Sequence, residues 1–281
     1  MKRILICTDG SHYSLEACRF GSALAASNDA EIDVLYVSDI RHFEVPAVAD
    51  IGGSLGVQPY EGMLAQMHEV ERIKSDFIFE QARHIFEKAG QQNRVSYHHE
   101  TGMLVDLIGT YEERADLVLI GKRGESAKYA AKHLGSMLER IVRASQKPTF
   151  VTSRSFKPLR RIALAYDGSA STRNALEFIS KNKPFTKLEI HLISVAEEAF
   201  ESKAYENLTE AKEILWAQNL NPISQVLTGE AAIALKSYVE DASIDALVVG
   251  AYGHSRIRDF IVGSTTTELI QNCRIPVLCF R

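Results

Sequence analysis

At 281 residues, with 46% hydrophobic and 24% charged side chains, the chain has an ordinary globular composition and more length than one compact domain usually takes. A net charge of −4 with no basic block excludes the electrostatic footprint of a nucleic-acid or anionic-membrane binder, and apolar runs such as 244–249 are far too short to cross a bilayer. The opening apolar stretch ends at Asp9, short of a secretion signal, so the expectation is a soluble, cytoplasmic protein of two domains. The four cysteines, Cys7, Cys18, Cys273 and Cys279, have no CxxC spacing, and Cys7 and Cys279 fall in predicted buried strands, where thiols serve as small apolar fillers.

In chain order, the periodicity predicts a strand over 3–8, the turn sequence Asp9-Gly10-Ser11, a helix over 12–27 and a strand over 32–37 ending at Val37. A glycine- and proline-rich stretch, 46–62, reads as an irregular excursion inside an insertion near 39–65. A helix over 66–89, a strand over 93–98, a helix over 102–113 and a strand over 116–120 follow. Next come Gly121-Lys122-Arg123-Gly124, ten residues, and Gly135-Ser136 opening a helix over 135–145, then a strand over 148–152. Residues 153–158 read as a linker. The second half predicts strands over 160–166, 187–194, 222–227, 245–249 and 276–280, with helices over 170–181, 200–218, 229–240 and 263–272.

The halves are copies. Ile4–Ser11 recurs as Ile162–Ser169 at an offset of 158, Asp9 matching Asp167, and Val37 matches Val195 at the same offset. The offset falls to 129 at Gly121 and Gly250, so copy one carries a net 29 extra residues between Val37 and Gly121. Five strands alternating with helices in each copy give two tandem α/β domains, 1–153 and 159–281, each a doubly wound, mostly parallel sheet covered on both faces. In such sheets ligands bind beyond the carboxyl ends of the strands, where the strand order reverses. A linker of only a few residues between similar surfaces predicts that the copies pack on one another as a pseudo-dimer, with a homodimer of chains as a further expectation.

The most specific signal is Gly250-Ala-Tyr-Gly253, nine residues, then Gly263-Ser264-Thr265. Glycines let backbone N–H groups approach an anion, and the helix start beyond adds unpaired donors and a partial positive charge. Capping offers the plain alternative: Ser136-Met-Leu-Glu139 and Thr265-Thr-Thr-Glu268 each fit a capping box, and Asp9 and Asp167 suit N-caps or turns. Lys122, Arg123, Lys128, His254, Arg256 and Arg258 place positive charge in the two loops, where it could face a phosphate or simply water. His98 and His99 lack a third ligand and read as surface residues rather than a metal pair, and Ile214, Leu215 and Trp216 read as a helix packed on the sheet.

With its Asp-Gly-Ser elements, the valine ending strand two, the glycine spacing and the final Pro276-Val-Leu strand, the chain resembles the universal stress protein family over nearly all of both copies. The resemblance implies an adenine-nucleotide site, for ATP or for AMP or ADP, with magnesium or manganese as the metal that would accompany the phosphates. It implies that Asp167 and Val195 hold the adenosine end, that Gly250 lies near the ribose, and that Gly253, Gly263, Ser264 and Thr265 cradle the phosphates. Copy one offers Asp9, Val37, Gly121, Gly124, Gly135 and Ser136 as counterparts, with one residue too many between Gly124 and Gly135 and therefore a weakened or altered site. The chain lacks the G-x-x-x-x-G-K-[S/T] and G-x-G-x-x-G patterns of common ATPases and dehydrogenases, and no G-x-S-x-G stands at a predicted strand-to-helix turn as a hydrolase elbow requires. The expected output is therefore a stress response through conformation or partner contact. The alternatives are slow ATP hydrolysis and a non-nucleotide interaction protein.

Overall fold

The computed structural model describes residues 1–39, 60–124, 136–251 and 263–281. Copy one supplies strands β1 (Arg3–Thr8), β2 (Glu31–Asp39), β3 (Val95–Gly102), β4 (Leu117–Gly121) and β5 (Thr149–Thr152), with helices α1 (His12–Ala26), α2 (Tyr60–Lys88), α3 (Leu104–Glu112) and α4 (Ser136–Ala144). Copy two supplies β6 (Arg161–Ala165), β7 (Glu189–Ala196), β8 (Ile223–Thr228), β9 (Ala246–Gly250) and β10 (Val277–Phe280). Its helices are α5 (Ala170–Lys181), α6 (Lys183–Thr186), α7 (Glu201–Trp216), α8 (Ala231–Asp241) and α9 (Ser264–Asn272).

These strands form one sheet in the order β3-β2-β1-β4-β5-β10-β9-β6-β7-β8. Every pairing within a copy is parallel, and the copies meet where β5 runs antiparallel to β10, with Phe150 opposite Leu278. The copies are thus joined through a shared sheet. In each half the strand order reverses between the first and fourth strands, so β1/β4 and β6/β9 are the switch points.

The near-continuous apolar strands reflect burial on both faces. On one face Ile4, Ile6, Leu119, Phe150, Ile162, Leu164 and Leu278 pack under α1, α2, α5 and α7. On the other, Leu5, Val118, Val151, Ala163, Leu247 and Val277 pack under α3, α4, α8 and α9. All four cysteines are buried free thiols, and burial pushes Cys7, Cys18 and Cys279 up to about 12.

Several expectations need correction. Helix α2 begins at Tyr60, so the last part of the expected 46–62 excursion is helical; residues 40–59 lie outside the described residues. At 29 residues α2 far exceeds the 16 of its counterpart α7, and part of copy one's extra length is therefore helix. A short helix, α6, was not expected: Pro184 sits in its first turn and Phe185 buries its ring. Strand β3 runs on to Gly102 because it pairs with β2 as far as Asp39.

In β3 His98 is half-buried rather than a surface residue, while His99 is exposed as expected. They point to opposite faces, His98 bonding Asp33 at 3.0 Å and His99 bonding Ser38 at 2.8 Å. Of the 214–216 trio only Leu215 packs on the sheet; Ile214 and Trp216 are exposed, since three consecutive helical residues cannot share one face.

Candidate functional site

The site residues converge at the carboxyl ends of the strands, and the first element of each site is the turn after β1 or β6. Gly10 and Gly168 both sit at φ 76°, a left-handed conformation that side chains disfavour. That geometry lets the preceding carboxylate reach forward: Asp9 Oδ1 accepts the Ser11 N–H at 3.0 Å and Asp167 Oδ1 accepts the Ser169 N–H at 2.9 Å. The N-caps of α1 and α5 are therefore Ser11 and Ser169, each accepting from the backbone N–H three residues on, and the aspartates serve the turn. Asp167 is solvent-exposed and also accepts from Thr172 Oγ1 at 2.8 Å, while Asn207 Nδ2 clamps the Asp167 carbonyl at 3.0 Å.

The first glycine of each motif is a close-packing position. A β-carbon on Gly121 would lie 2.9 Å from the backbone carbonyl carbon of Tyr13 and 3.1 Å from the amide nitrogen of Ser14. A β-carbon on Gly250 would press into Ser171 Oγ and stand 3.2 Å from Thr172 Cγ2. These glycines bring the start of α1 or α5 directly onto the end of the fourth strand. Gly124 has a different neighbour: its missing β-carbon would lie 2.7 Å from Asp9 Oδ2, so the Asp9 carboxylate lies over the glycine loop. Copy one thus brings together Asp9, Gly121 and Gly124. Val37 and Val195, near the ends of β2 and β7, are half-buried against the second core layer.

In copy two the structure joins the helix start to the strand end. The Gly263 N–H donates to the Ala251 carbonyl at 3.0 Å, and Thr266 Oγ1 donates to the Gly250 carbonyl at 2.9 Å. Thr267 N–H closes the first helical bond on the Gly263 carbonyl at 2.9 Å, which makes Gly263 the N-cap of α9. The capping box expected at Thr265–Glu268 does not form, because the N-cap is Gly263, two residues earlier. Gly263 spends its own N–H on Ala251, and the backbone N–H groups of Ser264, Thr265 and Thr266 precede the first helical bond. Ser264 and Thr265 are exposed. At φ −55° and ψ 141° Gly263 needs no special backbone freedom.

Gly253 and Gly135 lie outside the described residues, as do Lys128, His254, Arg256 and Arg258. Ser136 is the first residue of α4. Among the described residues no group of three His, Cys, Asp or Glu side chains converges as a metal site, and no helix is long and apolar enough to cross a membrane.

Lys122 does not face the site as loop charge. Its Nζ donates to the carbonyls of Gln271 and Cys273, each at 2.8 Å, at the carboxyl end of α9. Burial pulls its ammonium down to about 8. Sequence reasoning missed this contact, along with Thr172 and Asn207, which hold Asp167. Thr172 carries a signal in hindsight: it is the repeat equivalent of Ser14, whose hydroxyl bonds Thr8 at 3.0 Å in copy one.

Comparison with known proteins supplies the family. A family model described as "Universal stress protein family" matches residues 1–153 and again 158–281. The chain is 35% identical to a universal stress protein from Synechocystis over 288 aligned positions, covering 100% of both chains. It is similar in structure to a universal stress protein from Archaeoglobus fulgidus at a TM-score of 0.73 and 20% identity, covering 99% of this chain and 95% of that one. A universal stress protein solved in complex with cAMP aligns with 44% of this chain and 97% of its own at 21% identity and a TM-score of 0.38. On the two family matches and the full-length relative, the chain belongs to the universal stress protein family.

Proposed function

We propose that the chain binds an adenine nucleotide, ATP or its AMP and ADP forms, in the switch-point crevice of copy two, and that its output is conformation or partner contact rather than turnover. The observation that carries this reading is the first turn of α9, exposed at Ser264 and Thr265 and fixed to the end of β9 by the Gly263 N–H and the Thr266 hydroxyl. Three backbone donors and the positive end of the helix then face one side of the crevice, the arrangement that suits a phosphate group. Asp167 stands after the neighbouring strand as an exposed carboxylate, suited to accepting from ribose hydroxyls. Val195, at the end of β7, offers apolar surface for a base.

A bound nucleotide supplies the anionic tail and the flat base that these groups would hold. A magnesium or manganese ion would come with the phosphates, there being no preformed three-ligand cluster among the described residues. Copy one, with Asp9, Val37, Gly121, Gly124, Gly135 and Ser136, is the weaker site in this reading, because its loop carries one residue more.

Calorimetric titration with ATP tests the proposal on Gly263→Val and Gly135→Val. Among the described residues a β-carbon at 263 would meet the Ala251 carbonyl at 3.7 Å and Thr266 Oγ1 at 3.8 Å, ordinary contacts, so circular dichroism should show a native fold. Crowding the ligand away from two or three charge-assisted hydrogen bonds, each worth about 1.5–3 kcal/mol, should weaken binding by more than about a hundredfold. Gly135→Val should matter less. Parent-like ATP binding by Gly263→Val would remove the assignment to copy two, and no binding by the parent would remove the nucleotide reading.

A further inference from the structure

The two copies differ at one surface that their shared ancestry makes comparable. In copy one the chain leaves β5 and lays residues 154–156 along α1. The Arg154 carbonyl accepts from His12 Nε2 at 2.8 Å, the Phe156 N–H donates to Glu16 Oε2 at 2.5 Å, and the Phe156 ring stands edge-on to Phe20 with centroids 4.9 Å apart. Three anchors spaced four residues apart along one helix, His12, Glu16 and Phe20, thus take an extended segment bearing one aromatic ring. Under it Phe20 is 1% exposed and Glu16 7%.

The repeat equivalents of Glu16 and Phe20 are Asn174 and Phe178 on α5. There the structure has an open groove of about 340 Å³, lined by Asn174, Glu177, Phe178 and Lys181 from α5 and by Phe280 and Pro148 from the strands at the seam between the copies. Phe178 is half-buried, with its ring 5.4 Å from Phe280, and Asn174 and Glu177 are exposed. The groove is continuous with the β5–β10 junction: its floor is copy two, and Pro148 closes it from copy one.

We propose that this groove is a docking site for an extended segment of a partner protein presenting an aromatic side chain, the ring lying on Phe178 and Phe280 and a backbone N–H of the segment donating to Asn174 Oδ1. The copy-one groove is the template. An extended strand running along a helix matches anchors at i and i+4, and a ring inserted beside a phenylalanine pair gains both apolar burial and edge-to-face contact. The Asn174 amide nitrogen donates to the Arg281 carbonyl at 3.2 Å, which leaves Oδ1 to accept a segment N–H as Glu16 Oε2 accepts that of Phe156. Glu177, bound to Lys181, forms the rim. The groove adjoins the end of β9, where Phe280 pairs with Gly250 and its carbonyl accepts the Ala251 N–H, and docking there needs no bound nucleotide.

The test uses the chain's own linker sequence as probe. The peptide Ser-Arg-Ser-Phe-Lys-Pro-Leu, residues 153–159, is titrated into the full-length protein and followed by NMR chemical-shift mapping and fluorescence anisotropy. The expected result is saturable binding with shifts centred on Asn174, Phe178 and Phe280. Replacing the peptide's phenylalanine by alanine should weaken binding at least tenfold, and so should Asn174→Trp, which fills the groove from an exposed position and leaves the core intact. Absence of saturable binding at millimolar peptide would overturn the proposal. So would undiminished binding by the alanine peptide or by Asn174→Trp, or shifts confined to Glu16 and Phe20, which would show exchange with the linker. Binding of N-acetylphenylalanine amide as tight as that of the peptide would replace an extended segment by a small aromatic ligand.

Discussion

Lys122 is the residue whose role most depended on the fold. It occupies the copy-one glycine loop, where the sequence placed a phosphate-facing or solvated charge, and it caps the last carbonyls of a helix some 150 residues away instead. Its repeat equivalent, Ala251, has no side chain to do this, so the capping runs from copy one to copy two alone. A cation at a helix carboxyl end is favoured by the unpaired carbonyls, while the partial burial that comes with it opposes the charge and lowers the pKa from 10.5 to about 8. Between about pH 8 and 10.5 the unfolded chain therefore keeps a proton that the folded chain has released, so this group adds stability as the pH rises through that window. The buried thiols act in the opposite sense: Cys7, Cys18 and Cys279 move from 9.0 to about 12, so above pH 9 the unfolded chain loses protons that the folded one keeps, and stability falls. Denaturant unfolding of the parent and of Lys122→Met from pH 7 to 10 separates the two. The stability of the parent relative to the variant should rise between pH 8 and 10, and a flat difference would show that the ammonium is not perturbed.

At the scale of elements, the two copies pack the start of a helix onto the end of a strand through a glycine, with unequal tolerance. At Gly121 a β-carbon meets the backbone of Tyr13 and Ser14, which can move only with α1 itself; at Gly250 it meets the side chains of Ser171 and Thr172, and Ser171 can turn away. Overpacking a tight contact costs about 1–3 kcal/mol. Gly121→Ala should fall at the upper end and Gly250→Ala at the lower, with Ser171→Gly relieving only the second. Urea midpoints read the order directly. The Asp-Gly-Ser turns and the alternation of strands and helices were legible because they depend on neighbours in sequence. The start of α9 was not. Thr265–Glu268 matches a capping box by pattern, and only the bonds from Gly263 to Ala251 and from Thr266 to Gly250 set the helix boundary two residues earlier. In the same way, apolar character alone could not show that Trp216 and Ile214 turn outward while Leu215 faces the sheet.

For the whole molecule the seam is the decisive feature. One sheet runs through both copies, with Phe150, Val151, Val277 and Leu278 buried where β5 meets β10. Apolar side chains shared by both halves predict that the full chain unfolds in one cooperative transition. Phe150→Ala, which removes a ring packed between β5 and α1, should lower stability by about 3–5 kcal/mol and shift the fluorescence and circular dichroism transitions together. Two separated transitions would mean that the halves are energetically independent. The repeat, the α/β class and the family were all determined by the sequence itself, since duplication, apolar periodicity and glycine spacing are local patterns that survive in one dimension. Which edges join, which copy's lysine caps the other's helix, and which of two equivalent grooves the linker covers were decided only by the tertiary structure. Each is a contact between residues far apart in the chain, and nothing in the spacing of either partner names the other.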